Sequence, residues 1–229
     1  MKFHRFIGDF DLSADKISIT GDIAEQIRSV LRLKAGDVVL LGNGSGKEAS
    51  ARIASLGRGK ANLEIIEVSF PQRELKSRVV LFASVIKKEN FEFVVQKAVE
   101  CGVSKIIPVI SDRTVKLGLN MERLKKIIRE ASEQSGRTMI PEISNPLSFS
   151  ESLNMAEGRK ILFHPEGKEF IPSLSGTGTV SAFIGPEGGF SDREIEESRA
   201  AGAEIISIGK LTLRAETAAT IVSFISRYA

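Results

Sequence analysis

The sequence predicts an α/β protein with a parallel sheet, preceded by a smaller and mostly β unit. Between Val79 and Ile110 an apolar run, a helical stripe and a second apolar run follow one another within about thirty residues, the pattern of a parallel βαβ unit. Upstream, residues 1–70 break into several short strand-like segments with turns at close spacing, which suits a small barrel. Between the two lies Ser69–Arg78 (SFPQRELKSR), which is polar, contains Pro71 and has no period, as a linker does. The expected domains are residues 1–72 and 73–229.

In the first unit Lys16–Thr20 alternates like a strand. Asp22 and Glu25 open a short helix through Val30, with Ile23, Ile27 and Val30 facing inward. Asp37–Leu41 is an apolar strand, Asn43-Gly44-Ser45-Gly46 signals a hairpin turn, and Ala49–Ala54 and Ala61–Val68 are further strands. In the second unit Val79–Ile86 reads as a buried strand. Phe91, Val94, Val95, Ala98 and Val99 form a helical stripe that Gly102 ends, and Lys105–Ile110 is the next strand. A helix over about Met121–Ser135 places Leu124, Ile127, Ile128 and Ala131 on one face, with Gly136 positioned to cap it. Arg159–His164 is a strand that ends in the loop His164-Pro165-Glu166-Gly167. Phe183-Ile184 closes another strand before the loop Gly185-Pro186-Glu187-Gly188-Gly189. Ser191 and Glu194 match an S-x-x-E capping box for a helix that stops near Gly202. Glu204–Ile208 is a short strand. After the loop Gly209–Arg214, the last helix carries Ala218, Ile221, Val222 and Ile225 as its apolar face.

Composition bounds the function. The chain has 229 residues, of which 42% are hydrophobic, enough for a core in one large domain or two small ones. No apolar run has the length of a membrane span, and the start MKFHRFIGDFD contains acidic residues and lacks the apolar centre of a signal peptide, so a soluble cytoplasmic protein is expected. One cysteine and two histidines build neither a disulfide framework nor a metal cluster, and Cys101 reads as a small buried apolar residue. Residues 1–72 hold 10 basic and 9 acidic side chains and the remainder 22 and 20, so neither part is a basic arm. If RNA is a partner, its phosphates must meet local patches.

The two loops near the carboxyl end carry the chemistry. Gly185-Pro186-Glu187-Gly188-Gly189 allows close backbone approach, but Pro186 lacks an N–H and Glu187 has the wrong sign for a phosphate cradle. A ligand with an uncharged ring and a cationic centre suits it better; a plain tight turn before a helix has the same composition. Ligands of parallel sheets bind beyond the carboxyl ends of the strands. The loops after His164, Ile184 and Ile208 are therefore the ones expected to converge. Glu216, in the first turn of the last helix, suits both a helix-dipole role and a catalytic one.

The stretch FIGPEGGFSDREI followed by SIGKLTLRAETAA resembles the carboxyl-terminal signature of the RsmE family, and the likeness extends upstream through VVQKAVECGVSKIIPV, EASEQSGRTMIPEI and VLRLKAGD. It covers essentially the whole chain. Two departures lie in the second loop: Thr212 stands where the family usually has a larger aliphatic residue, and Ala215 where it often has Thr. RsmE proteins are bacterial S-adenosylmethionine-dependent methyltransferases of the knotted SPOUT superfamily, acting on N3 of uridine 1498 in 16S ribosomal RNA.

The resemblance implies a PUA-like RNA-binding β-barrel, a SPOUT domain whose trefoil knot departs from the usual unknotted chain path, and a homodimer. It implies a cofactor site of His164, Pro165, Glu166, Ile184, Gly185, Pro186, Glu187, Gly188, Gly189, Ile208, Gly209, Leu211, Leu213, Arg214, Thr217 and Ala218, with no metal. Arg214 is the expected catalytic or substrate-orienting residue, an ion pair with Glu216 or Glu187 being the alternative. His4, Arg5, Arg28, Arg32, Lys34 and Arg137 are the RNA candidates, with Arg113 and Lys116 weaker ones. A ribose 2′-O-methyltransferase of the same superfamily, or a non-catalytic RNA-binding module for ribosome assembly, are the competing functions.

Overall fold

The computed structural model describes residues 3–74, 77–115, 118–169 and 178–228; Lys116 and the middle of the expected linker lie outside them. The chain divides into two compact units. One comprises Met1–Glu74 with Ser132–Ile140, the other Leu75–Ala131 with Pro141–Ala229. The sequence offered a single cut after residue 72 and gave no sign of the second segment.

The first unit is a curled sheet of β1 (Arg5–Ile7), β2 (Lys16–Thr20), β3 (Val38–Gly42), β4 (Glu48–Gly57) and β5 (Lys60–Ser69), in the order β1-β3-β4-β5-β2. β1 runs parallel to β3, and the remaining pairs are antiparallel. Inward positions two apart, such as Val39 and Leu41, Ala49, Ala51 and Ile53, and Ala61 and Leu63, form its core with Phe6 and Ile19. The helix expected through Val30 is α1 (Asp22–Glu25) followed by a π-helical turn, Gln26–Val30. A π turn takes more residues per rotation than an α turn. The inward stripe therefore slips: Ala24 and Ile27 are buried, Ile23 packs partly, and Val30 is 71% exposed, contrary to the sequence expectation.

Within this unit Ser132–Ile140 is bound to the sheet residues. The amide of Ile7 donates to Glu133 Oε1 at 2.7 Å, Gly46 N donates to the Thr138 carbonyl, and Ile140 N donates to the Gly44 carbonyl. Glu48, almost wholly buried, accepts from Arg5 Nε at 2.8 Å and from Arg73 Nη1 at 3.1 Å. Arg137 pairs with Glu74 at 2.9 Å and is only 8% exposed.

The second unit is one parallel sheet. Its strands are β6 (Arg78–Ser84), β7 (Lys105–Ile110), β8 (Glu142–Ile143), β9 (Leu147–Ser148), β10 (Arg159–Glu169), β11 (Thr179–Ile184) and β12 (Glu204–Ser207). Their order is β12-β10-β11-β6-β7-β8, with β9 also on β7. Alternate residues feed two apolar layers, as a sheet covered on both faces requires. Leu81, Ala182, Ile161 and Ile206 pack with α2 (Lys88–Glu100), α3 (Met121–Ser135) and α6 (Ala215–Tyr228). Phe82, Phe183, Leu162 and Ile205 pack with α4 (Phe149–Met155), and Ile195 of α5 (Asp192–Ala200) lies against the same layer. Phe82 and Phe183 stack at 4.3 Å in its centre.

Three expectations change here, and one helix is new. β10 does not stop at His164: it resumes after a bulge, so that Phe163 and Lys168 both lie opposite Ile206. On α6 the buried apolar positions are Ala215, Ala219 and Val222, with Ala218 and Ile225 packed partly against the same core; of the expected face only Ile221, 37% exposed, turns outward. Cys101 is half-buried, with Sγ 3.8 Å from the Thr220 carbonyl. The sequence reading had no counterpart for α4, although Ser148 and Glu151 form a complete capping box at its start.

Candidate functional site

The sheet order places the carboxyl ends of β12, β10, β11 and β6 side by side, and a cavity of about 710 Å³ opens beyond them. Its size is that of a small-molecule site. Of the residues singled out in the sequence, His164, Pro165, Ile184, Gly185, Pro186, Glu187, Gly188, Gly189, Ile208, Gly209, Leu211, Leu213, Arg214 and Ala218 line it. Glu166 and Thr217 do not. Glu166 is exposed and its amide reaches back to His164 Nδ1 at 3.3 Å; Thr217 is exposed on α6.

The local chemistry explains why the three loops can meet. β10 passes so close to β12 at Gly167 that a Cβ there would lie 2.5 Å from the Ile206 carbonyl carbon, so the residue after His164-Pro165-Glu166 must lack a side chain. The glycine-rich loop after β11 is closed by the Gly189 amide donating to the Pro186 carbonyl at 2.8 Å, with Gly189 at φ +69. Ser191 and Glu194 then form the capping box of α5 as the sequence indicated. In the third loop the Ser207 hydroxyl donates to the Gly209 carbonyl at 3.0 Å.

The wall combines apolar side chains with open main chain and a few charges. Ile184, Phe190, Ile208, Leu211 and Leu213 are apolar; Glu187 and Glu216 are acidic; Lys87 and Arg214 are basic. The Arg214 side chain is 85% exposed, and its ion pair with Glu216 is long, at 4.0 Å. Behind the wall, Asp112 accepts from Arg193 at 2.7 Å and from the Ser191 hydroxyl at 2.6 Å, and these bonds hold its carboxyl below the usual carboxylate range. Among the described residues no group of three His, Cys, Asp or Glu is placed to hold a metal ion.

Sequence reasoning missed Lys87, Asn90, Phe163, Phe190, Ser207, Thr212, Ala215 and Glu216 as pocket lining, having weighed Glu216 only for other roles. Lys87 and Asn90 follow β6, the fourth strand to end at this edge; its apolar run was visible, but its place next to β11 was not. Thr212 and Ala215, the two departures from the resembling pattern, are both on the wall.

The RNA candidates divide by exposure. His4, Arg28, Arg32 and Lys34 are exposed on the first unit. Arg5 and Arg137 are not: their guanidiniums serve Glu48 and Glu74, which revises the expectation that they face RNA. Arg113 is exposed too, but its Nη1 donates to the Gly188 carbonyl.

Residues 73–226 match the family model of an RNA methyltransferase domain, and residues 19–66 that of an RNA methyltransferase PUA domain. The chain is 30% identical over 227 residues to the ribosomal RNA small subunit methyltransferase E of Rickettsia conorii, covering 96% of this chain and 93% of that protein. It is 36% identical over 163 residues to the protein of the same name from Mesomycoplasma hyopneumoniae, covering 68% and 72%. The crystal structure of a ribosomal RNA small subunit methyltransferase E from Neisseria gonorrhoeae bound to S-adenosyl methionine superposes with a TM-score of 0.91 at 27% identity, covering 97% of this chain and 95% of that one.

Proposed function

This chain belongs to the ribosomal RNA small subunit methyltransferase E family, and from that premise we propose that it uses S-adenosylmethionine to methylate N3 of uridine 1498 in 16S ribosomal RNA. The observation that carries the reading is the cavity in which the loops after β11 and β12 meet.

The lining suits that cofactor. Ile184, Ile208, Leu211 and Leu213 are apolar surface for a ring, and the glycine main chains offer N–H and C=O groups to its edge. Glu187 and Glu216 supply negative charge beside a cationic centre, and Lys87 a cation for a carboxylate. His164 and Pro165 border it, and Glu166 braces His164. When bound, the cofactor supplies a methyl group activated on a sulfonium. The protein's part is to hold the uracil in line, which contributes several kcal/mol at roughly the level of good orientation effects. Arg214 stabilises the negative charge that spreads to the uracil oxygens as the N3 proton leaves. Its exposure and its long contact to Glu216 keep the guanidinium available to substrate.

In this reading residues 1–72 are a PUA-like RNA-binding domain using His4, Arg28, Arg32 and Lys34, and residues 73–229 a SPOUT domain whose loops are tied in a trefoil knot. The protein acts in the cytoplasm as a homodimer; no helix among the described residues is long and apolar enough to cross a membrane. The partly exposed Ile221 and Phe224 of α6 are apolar surface for such a partner.

Incubation with labelled S-adenosylmethionine and bacterial small subunits, followed by nucleoside analysis, tests the reading. The expected product is 3-methyluridine. A 2′-O-methyl nucleoside would redirect it to ribose methylation, and failure to bind the cofactor would leave only an RNA-binding module.

A further inference from the structure

We propose that Arg113 is a positioning residue that fixes the peptide between Gly188 and Gly189, and so sets the shape of the glycine-rich loop against the cofactor. This rests on the function proposed above. Arg113 follows β7, whose end does not reach the cavity, and it is not part of the cavity wall. Its Nη1 donates to the Gly188 carbonyl at 2.6 Å, a charge-assisted bond. The N–H of the same peptide, on Gly189, donates to the Pro186 carbonyl at 2.8 Å. The one peptide plane between two glycines is thus held at both ends. Two adjacent glycines leave that plane little intrinsic preference, so without Arg113 only one tether opposes its rotation.

The stem of Arg113 takes part as well. A Cβ built at Gly188 would lie 3.3 Å from Arg113 Cδ and 3.5 Å from Arg113 Cβ, so the side chain lies across the glycine. The turn that carries Arg113 is itself cross-bonded. Ser111 N and Oγ both bond Thr114 Oγ1, at 3.0 and 2.9 Å, and Thr114 N donates to the Ser111 carbonyl. Asp112 fastens this turn to the exit of the glycine-rich loop: its amide donates to the buried Glu194 at 2.9 Å, and its carboxylate takes the Ser191 hydroxyl and Arg193. The loop's middle and its exit are therefore referred to one fixed point outside the cavity. Arg113 is exposed, yet its guanidinium donates to a main-chain carbonyl of its own unit, a contact that service to RNA phosphates alone does not require.

The test measures S-adenosylmethionine affinity by calorimetry, with KM and kcat, for the wild type, Arg113→Ala, Arg113→Met and Arg113→Lys. Ala and Met should both raise Kd and the cofactor KM about tenfold, near 1.4 kcal/mol, while kcat at saturation stays within about twofold. Lys, which keeps a cationic donor, should recover most of the loss, and the melting temperature of the unliganded variants should barely move. Wild-type cofactor affinity in Arg113→Ala overturns the assignment. So does a loss confined to binding of a ribosomal RNA fragment, or a fall in kcat at constant KM. If the wild type itself binds no cofactor, the methyltransferase reading fails, and this inference with it.

Discussion

Arg214 and Glu48 show how differently two charged side chains can be used. Arg214 stands on the cavity wall with most of its surface in solvent. Arg214→Ala should therefore abolish turnover while leaving cofactor affinity within about tenfold of wild type, near 1.4 kcal/mol; unchanged activity on small subunits would remove it from its role. Glu48 is buried between Arg5 and Arg73. Burial alone raises its pKa, but hydrogen bonds from Arg73 and Arg5 outweigh burial and hold the carboxyl below its ordinary 4.5. A depressed folded value stabilises above the unfolded pKa and fades as pH falls through the folded one. Glu48→Gln, which strands the Arg5 cation, should cost about 3 kcal/mol in urea unfolding at neutral pH. That difference should shrink below pH 4.5. A pH-independent difference would mean that packing, not charge, sets the cost. Arg5 and Arg137 were indistinguishable from surface arginines in the sequence, because no local pattern reveals a carboxylate that arrives from 43 or 63 residues away.

At the scale of elements, the periodic signals held where the backbone kept its regular pitch. Lys16–Thr20, Lys105–Ile110 and Met121–Ser135 lie where alternation or helical spacing put them. The departures have a common origin in irregular backbone. A π turn moved Val30 outward, and a bulge carried β10 past His164. Gly167 is the sharpest case, since any side chain there meets the main chain of β12. Gly167→Ala should lower stability by about 2 kcal/mol or more, the range for steric conflict with packed backbone, and should distort the cavity next to His164. Thermal melting with cofactor titration checks both; a variant equal to wild type in each would show that β10 and β12 have room to separate.

For the whole molecule, the consequence is ligand linkage. If the cavity binds S-adenosylmethionine only in the folded state, ligand at a hundred times its Kd should stabilise the unit that contains the cavity by about 2.7 kcal/mol. A melting curve that ligand leaves unmoved would remove the cofactor from that cavity. The division into units also limits what a linear reading can reach: Ser132–Ile140 groups with residues far earlier in the chain. Its backbone bonds go to Gly44 and Gly46 and its Glu133 to Ile7, and none of these pairings leaves a mark in local composition.

By itself the sequence determined the longer periodic elements, the two chemically unusual loops and, through their joint spacing, the family. Those depend on short-range periodicity and on residue types that only certain backbones tolerate. Tertiary structure alone decided which four strand ends lie together, which arginines are consumed by carboxylates of their own unit, and that Arg113 holds the glycine-rich loop from behind. Such facts depend on residues distant in the chain reaching bonding distance, and hydrogen bonds and ion pairs act only over a few ångströms of space, however far apart the partners lie along the chain.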